Sequence, residues 1–210
     1  MATRAVLLLL LLLAAAADSR RKVSWFNSAG GWVIGTDGLN FSAWLAAHGP
    51  KSPSPVITGT QPCCGCWGVN ATSGVFRSGC AAADGEDPID RHNNAVARAA
   101  GLTIEPTGIL PIPFLLNETW MQPGSLDSAV AMVERAGWTG MAIDNEDWPA
   151  PDPLPEMFRR FLGNLTKVMT AAKKTVVVDV CSTWHGDIGG PEHLPGYAKA
   201  ANNNIRFMDM

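Results

Sequence analysis

Residues Gly137 to Ala150 read GWTGMAIDNEDWPA, and the fold of the chain turns on how they are placed. A short apolar run ends in three acids, Asp144, Glu146 and Asp147. Alternate side chains of an extended strand share a face. Ala142, Asp144 and Glu146 therefore point one way, and Met141 and Ile143 point the other way, toward covering helices. Acids in this position are either a solvated loop that ends a strand or the working groups of a site at the strand's C-terminal end.

The segment after these acids is the clearest helix in the chain. Leu154, Met157, Phe158, Phe161, Leu162, Leu165, Val168, Met169 and Ala172 recur at intervals of three and four. Asp152 is a cap candidate, Pro153 suits the first helical position, and Lys173 and Lys174 suit the negative C-terminal end. The run VVVDV (Val176–Val180) has no apolar–polar alternation, which predicts a strand buried on both faces. Upstream, SLDSAVAMVERAG places Leu126, Ala129, Val130, Val133 and Ala136 on one helical face, with Ser125 as cap. LNFSAWLAAHG and PIDRHNNAVARAAG are further helical patterns that stop at Gly49 and Gly101. The expected strands are Val23–Phe26, Pro55–Thr58, Leu102–Leu110 (with Pro106 near its middle), Gly140–Asn145, Thr175–Ser182 and Ile205–Met208. GGWVIGTDG lacks a phosphate-loop lysine and dinucleotide spacing, and reads as turns.

Alternating strands and helices call for a parallel sheet with helical crossovers. The expected architecture is α/β, a (β/α)8 TIM barrel present as about six strand–helix units. Six strands leave two edges to cover, so the chain reads as incomplete. A doubly wound open sheet is the structural alternative. In a barrel, Asp144 and Glu146 end the fourth strand at the C-terminal mouth, where such folds keep their active sites. Carboxylates about 6–7 Å apart along one strand interact when partly desolvated, which holds one of them protonated, as a general acid requires.

The stretch GWTGMAIDNED resembles the D-G-x-D-x-D-x-E signature of family-18 glycoside hydrolases, especially their di-N-acetylchitobiase branch. Gly140 matches the Gly, Asp144 the last Asp and Glu146 the proton-donating Glu. VVVDVCSTW resembles the branch's fifth strand through Asp179 and Val180, and IRFMDM the start of its sixth. The likeness covers Ser125–Met210. It implies a reaction in which the substrate's own N-acetyl carbonyl attacks the anomeric carbon, outside the usual two-carboxylate scheme. Glu146 would protonate the leaving oxygen and then activate water, and Asp144 would orient the acetamido group. No cofactor or metal is implied. Asp179 is either a group of the site or part of a structural network. Trp148 and Trp184 follow the fourth and fifth strands and are either platforms for sugar rings or packing residues. Three positions depart from the pattern: Thr139 replaces the first Asp, Ala142 replaces Asp or Asn, and Asn145 replaces an apolar residue. Family-85 endo-β-N-acetylglucosaminidases, with an Asn-x-Glu pair, are a sister resemblance in which Asp144 takes the Asn position. Both imply an oligosaccharide containing N-acetylglucosamine as the partner. The weakened acidic pattern keeps a second class open, a non-catalytic chitinase-like lectin.

The ends of the chain and its cysteines bear on the compartment. MATRAVLLLLLLLAAAADSRR has one early basic residue, a Leu block and small residues, the pattern of a secretory signal peptide cleaved near Ala17. Residues 18–210 then form one glycosidase-like domain, and losing Arg4 takes the formal charge from −3 to −4. With no basic cluster and no second long apolar run, neither nucleic acid nor a membrane is an expected partner once the signal is removed. Oligomeric state is not legible. N-x-Ser/Thr sequons begin at Asn40, Asn70, Asn117 and Asn164. Together with the signal they predict a glycoprotein, secreted or in a lysosomal or vacuolar lumen. Cys63, Cys64, Cys66 and Cys80 lack zinc spacing and read as disulfide-forming in one of three pairings; Cys181 reads as a buried thiol. His185 and His92 read as an ordinary loop and a surface histidine.

Overall fold

The structure is a computed structural model that describes residues 22–27, 33–34, 39–40, 57–63, 67–78, 95, 97–99, 101–145, 150, 152–180 and 185–209, with backbone alone for 22–63 and 208–209. The signal segment, Glu146, Trp148, Trp184, Cys64, Cys66, Cys80 and Cys181 lie outside the described residues.

The strands are β1 (Lys22–Asn27), β2 (Val33–Ile34), β3 (Leu39–Asn40), β4 (Ile57–Cys63), β5 (Trp67–Val69), β6 (Phe76–Ser78), β7 (Thr103–Ile104), β8 (Thr107–Gly108), β9 (Gly140–Ile143), β10 (Thr175–Val180) and β11 (Ile205–Asp209). The helices are α1 (Ile112–Leu116), α2 (Ser125–Arg135), α3 (Leu154–Ala171) and α4 (Leu194–Ala200). Parallel pairing runs from β1 to β4, β4 to β7, β8 to β9, β9 to β10 and β10 to β11. β7 and β8 are two halves of one wall strand broken at Glu105–Pro106, where proline has no amide to give. The wall therefore follows chain order without the reversal of a doubly wound sheet. This is the six-unit α/β barrel wall that the alternation predicts.

Two sets of residues separate the faces of that wall. Met141, Ile143, Val176, Val178 and Val180 belong to one apolar core with Phe158, Phe161, Leu162 and Leu165 of α3. Ala142 and Val177 are also buried but stand outside that core, on the barrel's inner side. An aromatic row spans the outer layer, from Trp67 to Phe76, Phe114, Phe161, Phe158 and Tyr197, with successive ring centroids 5.8, 5.7, 5.6, 6.3 and 5.2 Å apart. It joins the β5–β6 hairpin to α1, α3 and α4, and each contact adds to the area buried.

The sequence reading does not contain that hairpin. Trp67 lies over Gly108, where a Cβ would come within 2.4 Å of the indole ring, so only glycine fits there. The indole Nε1 donates to the carbonyls of Pro106 (2.8 Å) and Ala142 (3.1 Å), seating the ring at the break in the strand. α4 also went unseen, because Pro195 and Gly196 interrupt its pattern. The helix expected over LNFSAWLAAHG does not begin at Leu39, since Leu39–Asn40 pairs antiparallel with β2. Ser125 is not a cap: Gly124, at φ 80°, holds that position. The Ser125 hydroxyl instead donates to the Gly74 carbonyl at 2.7 Å and anchors the hairpin. α3 starts one residue later than expected, with Pro153 at the cap position and no side-chain cap from Asp152. The end at Gly101 is as expected, with φ 74° and the Leu102 amide donating to Ala97.

Tyr197 closes the row of rings. It is buried, and its hydroxyl donates to the Ile188 carbonyl at 2.7 Å. Burial, then the charges of Asp187, Glu192 and Glu156, push the phenol far above its ordinary value. The raised value means that the folded state holds the neutral form. Its stabilising contribution is complete below about pH 10 and is lost above it, as the unfolded chain begins to ionise. The chain has one tyrosine, so phenolate absorbance reports on this residue alone. Native protein at about pH 11 is expected to show none, whereas chain unfolded in urea titrates near pH 10. A native titration curve that matches the unfolded one overturns this.

Candidate active site

Strand β9 is fastened to the preceding wall strand at both ends by side chains. At its start, the Thr139 hydroxyl accepts from the Ile104 amide (2.6 Å) and donates to the Ile104 carbonyl (2.8 Å). Beyond its end, Asn145 accepts from the Leu110 amide (2.9 Å) and donates to the Leu110 carbonyl (2.8 Å). Asn145 is buried, as is Leu110. Two of the three departures from the pattern thus have structural work. Asn145 satisfies the backbone donor and acceptor of Leu110, and the Thr139 hydroxyl satisfies the Ile104 amide and shares the Ile104 carbonyl with the Thr139 amide. Asn145→Leu is expected to cost about 2–4 kcal/mol in urea unfolding, since it strands both buried Leu110 groups. A loss under about 0.5 kcal/mol contradicts the clamp.

Between these clamps the wall presents its inner side. Register pairs Thr107 with Ala142, Ala142 with Val177 and Val177 with Arg206. One step further toward the mouth, Asp144 lies beside Asp179, because Ile143 pairs with Val178. Asp144 is half-buried, with Oδ1 shielded from solvent, and its amide donates to the Gly108 carbonyl at 3.0 Å. Asp179 is 2% exposed although it stands in a run of valines. Val176, Val178 and Val180 take the helix side, which leaves Thr175, Val177 and Asp179 on the inner side. The two acids end neighbouring strands, whose axes lie about 4.8 Å apart. The structure thus brings together two of the sequence-derived site residues, Asp144 and Asp179. Glu146, Trp148 and Trp184 lie outside the described residues and are not placed.

Below the acids the interior is apolar where the resemblance has its further acid. Ala142 is fully buried, Val177 flanks it, and the buried Thr107 hydroxyl has no hydrogen-bond partner among the described residues. Deeper still, Glu105 is fully buried. It accepts from the hydroxyls of Thr175 (2.5 Å) and Thr103 (3.4 Å) and pairs with Arg206. Desolvation pulls the Arg206 guanidinium below its ordinary value. The sequence reading passed over Glu105, whose only signal was an acid inside an otherwise apolar strand pattern. Among the described residues no group of three or more His, Cys, Asp or Glu side chains could hold a metal, and no helix is long and apolar enough to cross a membrane.

Near the mouth, the loop after β10 carries exposed His185, whose Nδ1 lies 3.3 Å from Glu192. The Gly186 amide donates to that carboxylate at 2.5 Å. Buried Asp187 accepts from the Gly189 amide at 2.7 Å. These bonds set the course of the loop, and His185 is the loop histidine that the sequence suggests.

No protein-family profile matches the chain, and no curated protein does either. Solved structures do match. A chitinase from Chromobacterium violaceum superposes with a TM-score of 0.60 at 12% identity, over 89% of this chain and 55% of its own. A class V chitinase from Pseudomonas fluorescens gives 0.52 at 19% identity, over 72% and 46%. Catalytic domain 2 of the Group II chitinase of Ostrinia furnacalis gives 0.54 at 16%, over 72% and 42%. The chain therefore spans about half the length of these structures, and its fold is the α/β barrel seen in chitinases.

Proposed function

We propose that this chain carries the acid/base half of a family-18-type glycoside hydrolase site that cleaves glycans containing N-acetylglucosamine. The observation that carries the proposal is the meeting of Asp144 and Asp179 at one level on the inner wall, at the C-terminal strand ends. That is where barrel enzymes do chemistry. Glu146, two residues beyond Asp144, gives its proton to the leaving glycosidic oxygen and, as the carboxylate, then takes one from the attacking water. Asp144 accepts the acetamido N–H, turns the carbonyl toward the anomeric carbon and offsets the positive charge that develops there. Asp179 binds the same sugar unit or holds Asp144 in place, and Trp148 and Trp184 offer stacking faces at the rim. No cofactor or metal takes part. The di-N-acetylchitobiase branch is the narrower reading, with family 85 as its sister. The leader and the sequons support a secreted or lysosomal setting, with disulfides among the clustered cysteines.

One observation favours a second reading, a glycan-binding lectin without turnover. Ala142 and Val177 make the layer beneath Asp144 apolar, so the acid that would pass protons there is missing. Hydrolysis of a chromogenic chitobioside by the full chain, with and without Glu146→Gln, separates the two. Turnover that the substitution removes supports the enzyme, and saccharide binding without turnover in either protein supports the lectin.

A further inference from the structure

We propose that Ile109 forms an apolar rim contact on which the ring of an N-acetylglucosaminyl unit rests while its polar groups reach Asp144. The inference rests on the site reading above and adds a specificity residue to it. Ile109 is 57% exposed, a large apolar side chain left in water. Single exposed apolar residues are ordinary, so position decides. Thr107 pairs with inner-side Ala142 and Leu110 belongs to the outer core, so the alternation above the break carries Thr107 and then Ile109 to the inner side. Gly108 pairs with Ile143, so the next step sets Ile109 beside Asp144, about one strand spacing away.

The backbone here is held on both sides of the exposed residue. The Gly108 carbonyl accepts from the Asp144 amide, and both Leu110 backbone groups are bonded to buried Asn145. Leu110 itself is 1% exposed. A large apolar side chain is thus fixed in solvent beside a carboxylate at the barrel mouth. Met121, at 58%, is as exposed but lies beside Arg160 of α3, in the outer helix layer. A pyranose ring has a face of C–H groups and a rim of polar groups, and a fixed branched alkyl chain next to an acid complements both. Because the contact forms on binding and is retained through the reaction, it acts on KM and leaves kcat alone.

The test is steady-state hydrolysis of a chromogenic chitobioside, with calorimetric binding of N,N'-diacetylchitobiose, for the full chain and for Ile109→Ser, Ile109→Leu and Met121→Ser. Ile109→Ser is expected to raise KM and Kd about tenfold, the scale of losing about half of an isoleucine's burial, with kcat within about twofold. Ile109→Leu and Met121→Ser are expected to stay near wild type. Unchanged KM and Kd in Ile109→Ser, in a protein that does turn over the substrate, overturns this inference alone. A fall in kcat with KM constant also overturns it. A wild-type chain that neither cleaves nor binds the saccharide overturns the site reading and this inference together.

Discussion

Replacing Glu146 by Gln is expected to lower turnover of a chromogenic chitobioside about a thousandfold, with substrate affinity within about twofold of wild type. The size follows from what the group does. A glycosidic oxygen is a poor leaving group until it gains a proton, and positioned proton transfer supplies about two to four powers of ten. Gln keeps the shape and the hydrogen bonding of Glu but has no proton to give. The nucleophile belongs to the substrate, so the acetamido carbonyl remains poised, and the loss falls on kcat. Better leaving groups need the proton less, so the deficit is expected to be larger still on an unactivated chitooligosaccharide, whose leaving group is a sugar hydroxyl. A Glu146→Gln variant that retains more than about a tenth of wild-type turnover removes Glu146 from its assigned role.

The second large effect concerns stability. Removing the guanidinium of Arg206 is expected to cost about 3 kcal/mol in urea unfolding at neutral pH. Glu105 is fully buried, and Arg206, its cation, is itself 38% exposed, which keeps the figure at the low end of the usual range for a broken buried pair. In Arg206→Met the carboxylate keeps only the Thr175 and Thr103 hydroxyls, and burial then drives it toward the protonated form. A carboxyl raised in the folded state contributes fully below its unfolded value, near pH 4.3, and loses that contribution as pH rises. The deficit of Arg206→Met is therefore expected to narrow as the pH is lowered toward 5. The double replacement Glu105→Met with Arg206→Met is expected to recover most of the loss, because no charge is then left in the interior. If the double variant is as unstable as the single one, packing and not the unpaired acid is responsible.

The fold was legible where period and burial agree. The α3 stripe and the VVVDV strand admit one arrangement each, and their alternation with GMAI sets up a parallel wall. Local signals failed where a residue answers to a distant partner. Ser125 has the look of a cap, yet it bonds Gly74 in the hairpin. Thr139 looks like a lost acid and Asn145 like a misplaced polar residue, and only the positions of Ile104 and Leu110 reveal what they hold. Asp144 and Asp179 were readable as acids in apolar runs. Their meeting at one level depends on the register between two strands, which neither run contains. Ile109 and Glu105 carry no motif, because their meaning comes from which way a strand side faces.

The break at Pro106 gives the barrel a fault line. Below it, Thr103–Ile104 is stitched to β4; above it, Thr107–Gly108 is stitched to β9 and to Trp67 of the hairpin. Across the break the connection passes through single bonds, such as those of Thr139 to Ile104 and of the Ala142 amide to the Pro106 carbonyl. A slip of alignment among the early strands therefore reaches the two acids through β9 and not through an unbroken third strand.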